Sequence, residues 1–201
     1  SLPDNDSYTR YADLGRDYAV WAVFASEEFS VEPMTWCFPI AGCVPYRGYF
    51  ARHRAERFAR DLKAGGLDVF SGGVPAYSTL GWGSDPVLNT VLIWHDDQLG
   101  GLIFHELAHQ VVYIKNESAF NESFATFVEE VGVQQWLRSS GDKRALAAYQ
   151  SSRVWRSWVV NQVIAHRTSL ADLYATKFAA EVMRKEKRLL FARLRERYER
   201  K

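Results

Sequence analysis

The segment 99–114 constrains the fold more than any other part of the chain. Nearly all of its residues are apolar, so a helix formed here has no polar face for solvent and must lie inside the molecule. Within it, His105, Glu106 and His109 form the pattern His-Glu-x-x-His. Two imidazoles and a carboxylate are costly to bury unless they have partners. The fold must therefore provide these three side chains with a common ligand or with hydrogen-bond partners.

The spacing of the two histidines suits a metal ion. Side chains at positions i and i+4 of a helix lie one turn apart and about 40° apart around its axis, so His105 and His109 can reach a single ion. Glu106 follows the first histidine and is placed to take a proton from water rather than to bind the metal. The pattern predicts one Zn²⁺ per chain, with Glu106 as general base. The rival interpretation is a pair of core histidines with ordinary partners.

A catalytic zinc ion normally has three protein ligands, so a third is needed. Glu122 is the best candidate because it lies in the first turn of a predicted helix over 118–138, which a short turn joins to the zinc helix. Glu129 lies two turns further along the same face, where it is placed to hold a ligand histidine through its other ring nitrogen. Both acids also have ordinary interpretations, Glu122 as a complement to the helix dipole and Glu129 as a solvated side chain.

At this point the motifs resemble known metallopeptidases. His-Glu-Leu-Ala-His followed by Asn-Glu-Ser-Phe-Ala and a later glutamate is similar to the gluzincins of the aminopeptidase N type, in which a glutamate on the next helix is the third zinc ligand. More closely, residues 36–50, 72–82 and 85–92 resemble a proteobacterial family described as putative aminopeptidases, over most of residues 7–140. The resemblance implies His105, His109 and Glu122 as zinc ligands, Glu106 as base and Glu129 as the supporting residue.

The sequence departs from the aminopeptidase N pattern ahead of the zinc helix. Those relatives carry a Gly-x-Met-Glu-Asn strand there, whose glutamate binds the free amine of the substrate. In this chain the corresponding stretch, 72–77, contains no acid. Aminopeptidase and endopeptidase activity therefore both stay open. Gly72 and Gly73 either allow a substrate to approach the backbone closely or mark a bulge at a strand end.

A tetrahedral intermediate of peptide hydrolysis also needs a hydrogen-bond donor for its oxyanion. Tyr77 is the first candidate, because the strand that carries it should border the cleft. Tyr113, one turn beyond His109, and Tyr149 are the alternatives. The chain has 10 tyrosines, and a tyrosine more often packs than catalyses, so the sequence does not decide among them.

Cys37 and Cys43 are the 2 cysteines of the chain. We expect them to form a disulfide, which would contribute about 2 kcal/mol through loop entropy and would persist in an exported protein. Two free core thiols are the first alternative. The second makes Cys43 the third zinc ligand, as in peptide deformylases, where a Gly-Cys motif precedes the zinc helix.

The composition fits a compact enzyme. With 201 residues, of which 47% are hydrophobic, the chain can bury a substantial core. A net charge of +1 gives no electrostatic signature for nucleic acid. The expected substrate, a peptide or protein, follows from the metallopeptidase resemblance. We expect a metallopeptidase core over 1–140 and a helical extension over 141–201 that packs on it, most simply as one domain.

The expected location rests on the family resemblance. No apolar run approaches the roughly 18 residues that span a membrane, and the chain has no signal peptide. It opens without methionine, so we expect a mature or trimmed form. Relatives carry an export or lipoprotein-type signal, which implies the cell envelope, in the periplasm or attached to the membrane.

The order of the predicted elements, strands first and helices after, fits an α+β fold. The resemblance implies a zincin-like arrangement, in which a small N-terminal mixed sheet packs on the zinc helix and a helical half follows. The basic stretch 177–201 reads as a solvated helix, or as a surface that docks on an anionic membrane or a partner. The alternative to a peptidase is a non-catalytic, zinc-stabilised binding module of the envelope. A third hypothesis is a self-inhibited enzyme, in which the basic tail or an N-terminal segment outside this sequence covers the cleft. The predicted strands are 18–25, 32–38, 67–72 and 87–94, and the predicted helices are 48–64, 97–115, 118–138, 142–165 and 169–201.

Overall fold

The computed structural model describes residues 6–38, 42–77, 83–115 and 117–200. Strands fill the first half of the chain and helices the second, which confirms the α+β class. The strands are β1 (Tyr11–Ala12), β2 (Val20–Ser26), β3 (Trp36–Phe38), β4 (Gly42–Val44), β5 (Arg47–Tyr49), β6 (Asp68–Val74) and β7 (Val87–Leu88). The helices are α1 (Arg52–Ala64), α2 (Asp96–Val111), α3 (Ser118–Ser139), α4 (Lys143–Tyr174) and α5 (Ala180–Glu199).

The largest sheet is antiparallel and has the strand order β5-β2-β6. Successive side chains of a strand point to opposite faces, so β2 offers a different set of residues to each side. Val23 is fully buried on one face, where it packs against Ala55 and Ala59 of α1. Phe24 lies on the opposite face and is exposed. Helix α1 therefore covers only one side of this sheet.

The predicted single mixed sheet is wrong for the described residues, which form three small sheets. β3 and β4 make a hairpin, and β1 pairs in parallel with β7. The predicted strand 87–94 stops at Leu88 because the chain then turns repeatedly. The side chain of Asn89 fixes this change of direction, since it accepts a hydrogen bond from the Leu14 N–H (2.9 Å) and donates one to the Arg16 carbonyl (3.1 Å).

In the helical half each helix packs on the next along the chain: α2 mainly on α3, α3 also on α4, and α4 on α5. α2 ends at Val111, before the predicted end at residue 115. The predicted break between 165 and 169 is wrong, because the hydroxyls of Thr168 and Ser169 donate to carbonyls one turn back and α4 continues to Tyr174. Among the described residues, no helix is long and apolar enough to cross a bilayer.

Candidate metal centre and cleft

Helix α2 brings the two histidines of the motif to one face. The Nε2 atoms of His105 and His109 lie 3.2 Å apart, and the rings meet edge to face with centroids 4.8 Å apart. His109 is only 5% exposed, as expected for the middle of a buried helix. The i, i+4 spacing thus produces the pair that the sequence predicts.

Asn121 fixes the start of α3 beside the end of α2. The Ile114 N–H donates to Asn121 Oδ1 (2.9 Å), and Asn121 Nδ2 donates to the Ile114 carbonyl (2.7 Å). Asn121 is 1% exposed, so this link is shielded from water. It positions the next residue, Glu122, whose two carboxylate oxygens lie 3.3 Å from His105 Nε2 and 3.5 Å from His109 Nε2. Sequence reasoning assigned no role to Asn121, although it lies beside Glu122 in the motif.

The donor groups of His105, His109 and Glu122 fit a metal ion. Their closest approaches are 3.2, 3.3 and 3.5 Å, with the two glutamate distances made by different oxygens. Ligand atoms about 2.0–2.1 Å from a tetrahedral zinc ion lie about 3.3 Å from one another. Two imidazole nitrogens with one carboxylate are also a donor set found in zinc hydrolases. This group could therefore hold one metal ion.

Glu129 supports His105 from outside the donor group. His105 Nδ1 donates to Glu129 Oε2 (3.3 Å), and Arg156 of α4 donates to Glu129 Oε1 (3.1 Å). The hydrogen bond with Glu129 raises the pKa of His105 and lowers the pKa of Glu129. Because the proton on Nδ1 is held by Glu129, the lone pair on Nε2 is directed at the other donors. The structure thus places Glu129 where its spacing from Glu122 predicts.

His109 has a different environment from His105. Burial lowers its pKa, so the neutral imidazole that binds metal ions is favoured. Its Nδ1 is buried without a hydrogen-bond partner among the described residues. The ring of Tyr113 lies against it, with centroids 6.4 Å apart. The two histidines therefore differ in how firmly their outer nitrogens are held.

Glu106 and Tyr77 line the same small cleft. Glu106 lines a cavity whose other walls are mainly apolar. Tyr77 lines the same cavity, is 52% exposed, and meets Phe50 with ring centroids 5.8 Å apart. The apolar walls include Leu88, Val91, Leu102 and Ile103. A carboxylate and a phenol thus share one cavity, and the catalytic roles of Glu106 and Tyr77 stay predictions.

The other tyrosines fall on two sides of the site. Tyr149 is on the buried side, 4% exposed in the core cluster with Val133 and Leu137. Burial raises the pKa of Tyr149, and the negative charge of Glu129 raises it further. Tyr46 lies on the open side. Burial raises the pKa of Tyr46, and the negative charges of Glu122 and Glu106 raise it further.

Sequence reasoning did not single out Tyr46. It lies between the two short strands β4 and β5, which were not predicted as separate strands. Segments of this length contain too few residues for an alternating pattern to be recognised. The signal that was available is that Tyr46 falls within the stretch 36–50, one of the segments that resemble the family of putative aminopeptidases.

The structure gives a separate reason for the absence of a side chain at Gly72 and at Gly73. β6 pairs with β2 in unbroken register from Asp68 to Val74, so the predicted bulge is wrong. A Cβ on Gly73 would lie 2.2 Å from the Tyr18 ring, so the missing side chain makes room for that ring. A Cβ on Gly72 would lie 3.0 Å from the Phe70 ring on the opposite face. Both glycines therefore accommodate aromatic rings of the chain itself.

Cys37 and Cys43 face each other in the β3–β4 hairpin and form a disulfide. The alternatives of free thiols and of Cys43 as a third metal ligand are therefore wrong for this structure. The position that Cys43 would have filled in the donor group is taken by Glu122. The bridge links the two strands of the hairpin that precedes Tyr46 in the chain.

Comparison with known proteins adds one assignment. No curated protein and no solved structure matches the chain significantly. A protein-family model with the description "Putative aminopeptidase" matches residues 1–201, the whole chain. The chain therefore belongs to this family of putative aminopeptidases.

Proposed function

We propose that this chain is a zinc-dependent peptidase in which His105, His109 and Glu122 hold the metal and Glu106 acts as general base. The observation that carries the proposal is the cluster of three donor groups with a carboxylate in the adjoining cleft. Zinc, when bound, supplies a Lewis acid that lowers the pKa of water and polarises a peptide carbonyl. The family assignment independently supports a peptidase.

The roles of the protein's own groups follow from their positions. Glu106 takes a proton from the attacking water and passes it to the departing amine, which requires its carboxylate to lie near both the water and the amide nitrogen. Tyr77, which lines the same cavity, is the proposed donor to the developing oxyanion. Glu129 holds the ring of His105 in place throughout. The mainly apolar walls around Glu106 keep bulk water away from this proton transfer.

The end of the peptide that enters the cleft is a separate question. An aminopeptidase needs an anionic group for the free amine of its substrate. In β6 the acid is Asp68, at the end far from Gly72, and its carboxylate is paired with Lys187. The family name favours aminopeptidase activity, whereas this strand supplies no free acid for an amine. We therefore keep endopeptidase activity as the alternative.

The disulfide supports a location in an oxidising compartment. Such bonds persist in exported proteins and are rare where glutathione keeps thiols reduced. The Cys37–Cys43 bridge is thus consistent with the proposed cell-envelope location. Fractionation of cells that express the native gene would test it, and recovery of the protein with reduced cysteines from the cytosol would contradict it.

Zinc analysis and peptide cleavage together test the proposed function. We expect one zinc per chain, loss of that zinc in His105→Ala, and its retention in His53→Ala, a matched change at an exposed histidine of α1. Glu106→Gln should keep the metal but lose about 10²–10⁴-fold in turnover. A peptide library with free and with acetylated N-termini separates the two modes, since only an aminopeptidase fails on blocked peptides. Absence of zinc from the wild type would refute the ligand assignment.

A further inference from the structure

We propose that three aromatic rings on the open face of the main sheet, Tyr46, Phe24 and Phe70, bind a large apolar side chain of the peptide substrate. We call these three residues the aromatic row. The inference rests on the proposed peptidase function and adds a substrate preference to it.

The aromatic row crosses the sheet, with one ring in, or directly next to, each of the three strands. Phe24 of β2 and Phe70 of β6 are directly paired, and their ring centroids lie 6.2 Å apart. Tyr46 immediately precedes β5, and its ring centroid is 5.6 Å from that of Phe24. Arg47 pairs with Val23, whose side chain faces α1, so alternation places Tyr46 and Phe24 together on the other face.

This face of the sheet is open where the aromatic row lies. Tyr46, Phe24 and Phe70 are 42%, 37% and 66% exposed. The Phe70 ring rests on the backbone of Gly72, where a Cβ would come within 3.0 Å of two ring atoms. Contiguous exposed apolar surface of this kind marks a binding site more often than a random surface.

The aromatic row is continuous with the candidate active site. Phe50 directly follows β5 and lies on the same face as Tyr46 by alternation, and its ring contacts Tyr77, which lines the cavity of Glu106. At the other end of β5, burial raises the pKa of Tyr46 and the charges of Glu122 and Glu106 raise it further, so its phenol is within electrostatic reach of both carboxylates. A peptide whose scissile bond lies beside Glu106 can therefore extend a neighbouring side chain over the row.

The chemistry of the aromatic row selects an apolar occupant. Its three side chains present ring faces and edges, and the Tyr46 hydroxyl is its single polar group. Burying a side chain as large as phenylalanine against such a surface corresponds to about 10- to 100-fold in affinity over alanine. Aromatic pairing adds preference for a ring over an aliphatic chain of equal area.

Binding measurements test this without turnover. In the zinc-loaded Glu106→Gln protein, we would measure by calorimetry the affinity of hexapeptides in which one phenylalanine is moved through an alanine–serine background. At one peptide position, phenylalanine should bind about 10-fold or more tightly than alanine. Phe70→Ser should remove most of this preference, whereas Phe70→Leu should keep much of it. Phe178→Ser, at a phenylalanine that is 53% exposed outside the row, is the matched control and should change nothing.

The outcomes separate the two proposals. Equal affinity for phenylalanine and alanine at all positions, or an unchanged preference in Phe70→Ser, would overturn the aromatic row as a substrate site. Failure of the zinc-loaded wild type to cleave any peptide would instead contradict the proposed function. Zinc content and thermal unfolding of each variant show that the fold is intact, which is expected because Phe70 is largely exposed.

Discussion

The side chain of Glu129 joins the proposed metal centre to the rest of the helical half. It accepts hydrogen bonds from His105 and from Arg156 of α4. Replacing the carboxylate by a neutral amide weakens the hydrogen bond to His105 Nδ1 and lowers the basicity of Nε2. We expect Glu129→Gln to weaken zinc affinity by about 10- to 100-fold, the usual effect of losing a partner behind a ligand. Competition with a fluorescent zinc chelator measures this affinity.

The neighbouring glutamate provides the control for this prediction. Glu130 is also partly buried and also pairs with an arginine of α4, Arg153, but it has no contact with His105. Glu130→Gln should therefore leave zinc affinity near that of the wild type. An equal loss in both variants would show that the charge of α3, and not the support of His105, sets the affinity.

At the scale of residues, the sequence predicted the placement of side chains that lie together because of their spacing along a helix. His105, His109 and Glu129 follow from positions one or two turns apart. Tyr46 could not be predicted, because its position depends on how a short hairpin folds back on the sheet. Likewise, nothing in the sequence shows that Gly73 gives room to Tyr18, since that contact joins residues on different parts of the chain.

At the scale of elements, the turn between α2 and α3 determines where Glu122 lies. Asn121 bonds both backbone polar groups of Ile114 from a buried position. Asn121→Ala leaves those two groups without their partners, which should cost about 1–3 kcal/mol in the free energy of unfolding. Because α3 then starts in a looser position, zinc affinity should also fall. Urea unfolding of the metal-free protein and chelator competition measure the two effects.

Ser123→Ala is the matched control on the same helix turn. The Ser123 hydroxyl donates to the Ala119 carbonyl within α3 and does not connect the two helices. Its removal should change stability little and zinc affinity not at all. If Asn121→Ala loses stability but binds zinc as tightly as the wild type, the turn does not position Glu122.

The long helices were easier to predict than the strands. α2 and α3 extend over many turns, so their apolar and polar positions repeat often enough to define them, and their observed bounds differ from the predicted ones mainly at the ends. β4, β5 and β7 contain 2 or 3 residues each, and pairing with distant partners alone makes them strands. The break between α4 and α5 was misplaced because Thr168 and Ser169 satisfy their hydroxyls inside the helix.

At the scale of the whole molecule, α5 connects the helical half to the sheet. Arg184 makes two hydrogen bonds to the Glu28 carboxylate (2.6 and 2.8 Å). Lys187 donates to the Glu28 carbonyl (2.6 Å) and pairs with Asp68 of β6. Part of the basic face of α5 is thus used within the chain. The sequence alone did not show whether this basic face pairs within the chain or docks on a membrane or a partner, because the pattern of charges along the helix is the same in each case.

The pairing of Glu28 with Arg184 predicts a pH-dependent contribution to stability. The hydrogen bond from Arg184 lowers the pKa of Glu28 below its usual value of 4.5. A carboxyl whose pKa is lower in the folded state stabilises the protein at pH values above its unfolded pKa and loses that effect as pH falls through the folded pKa. We expect Glu28→Gln to unfold at a modestly lower temperature than the wild type at pH 7, and this difference to disappear in acid and to shrink in 1 M salt. Thermal unfolding followed by circular dichroism measures it, with the adjacent Glu27→Gln as control. A difference that persists below the folded pKa would show that α5 is held by packing, such as the Phe29–Tyr174 contact, and not by this ion pair.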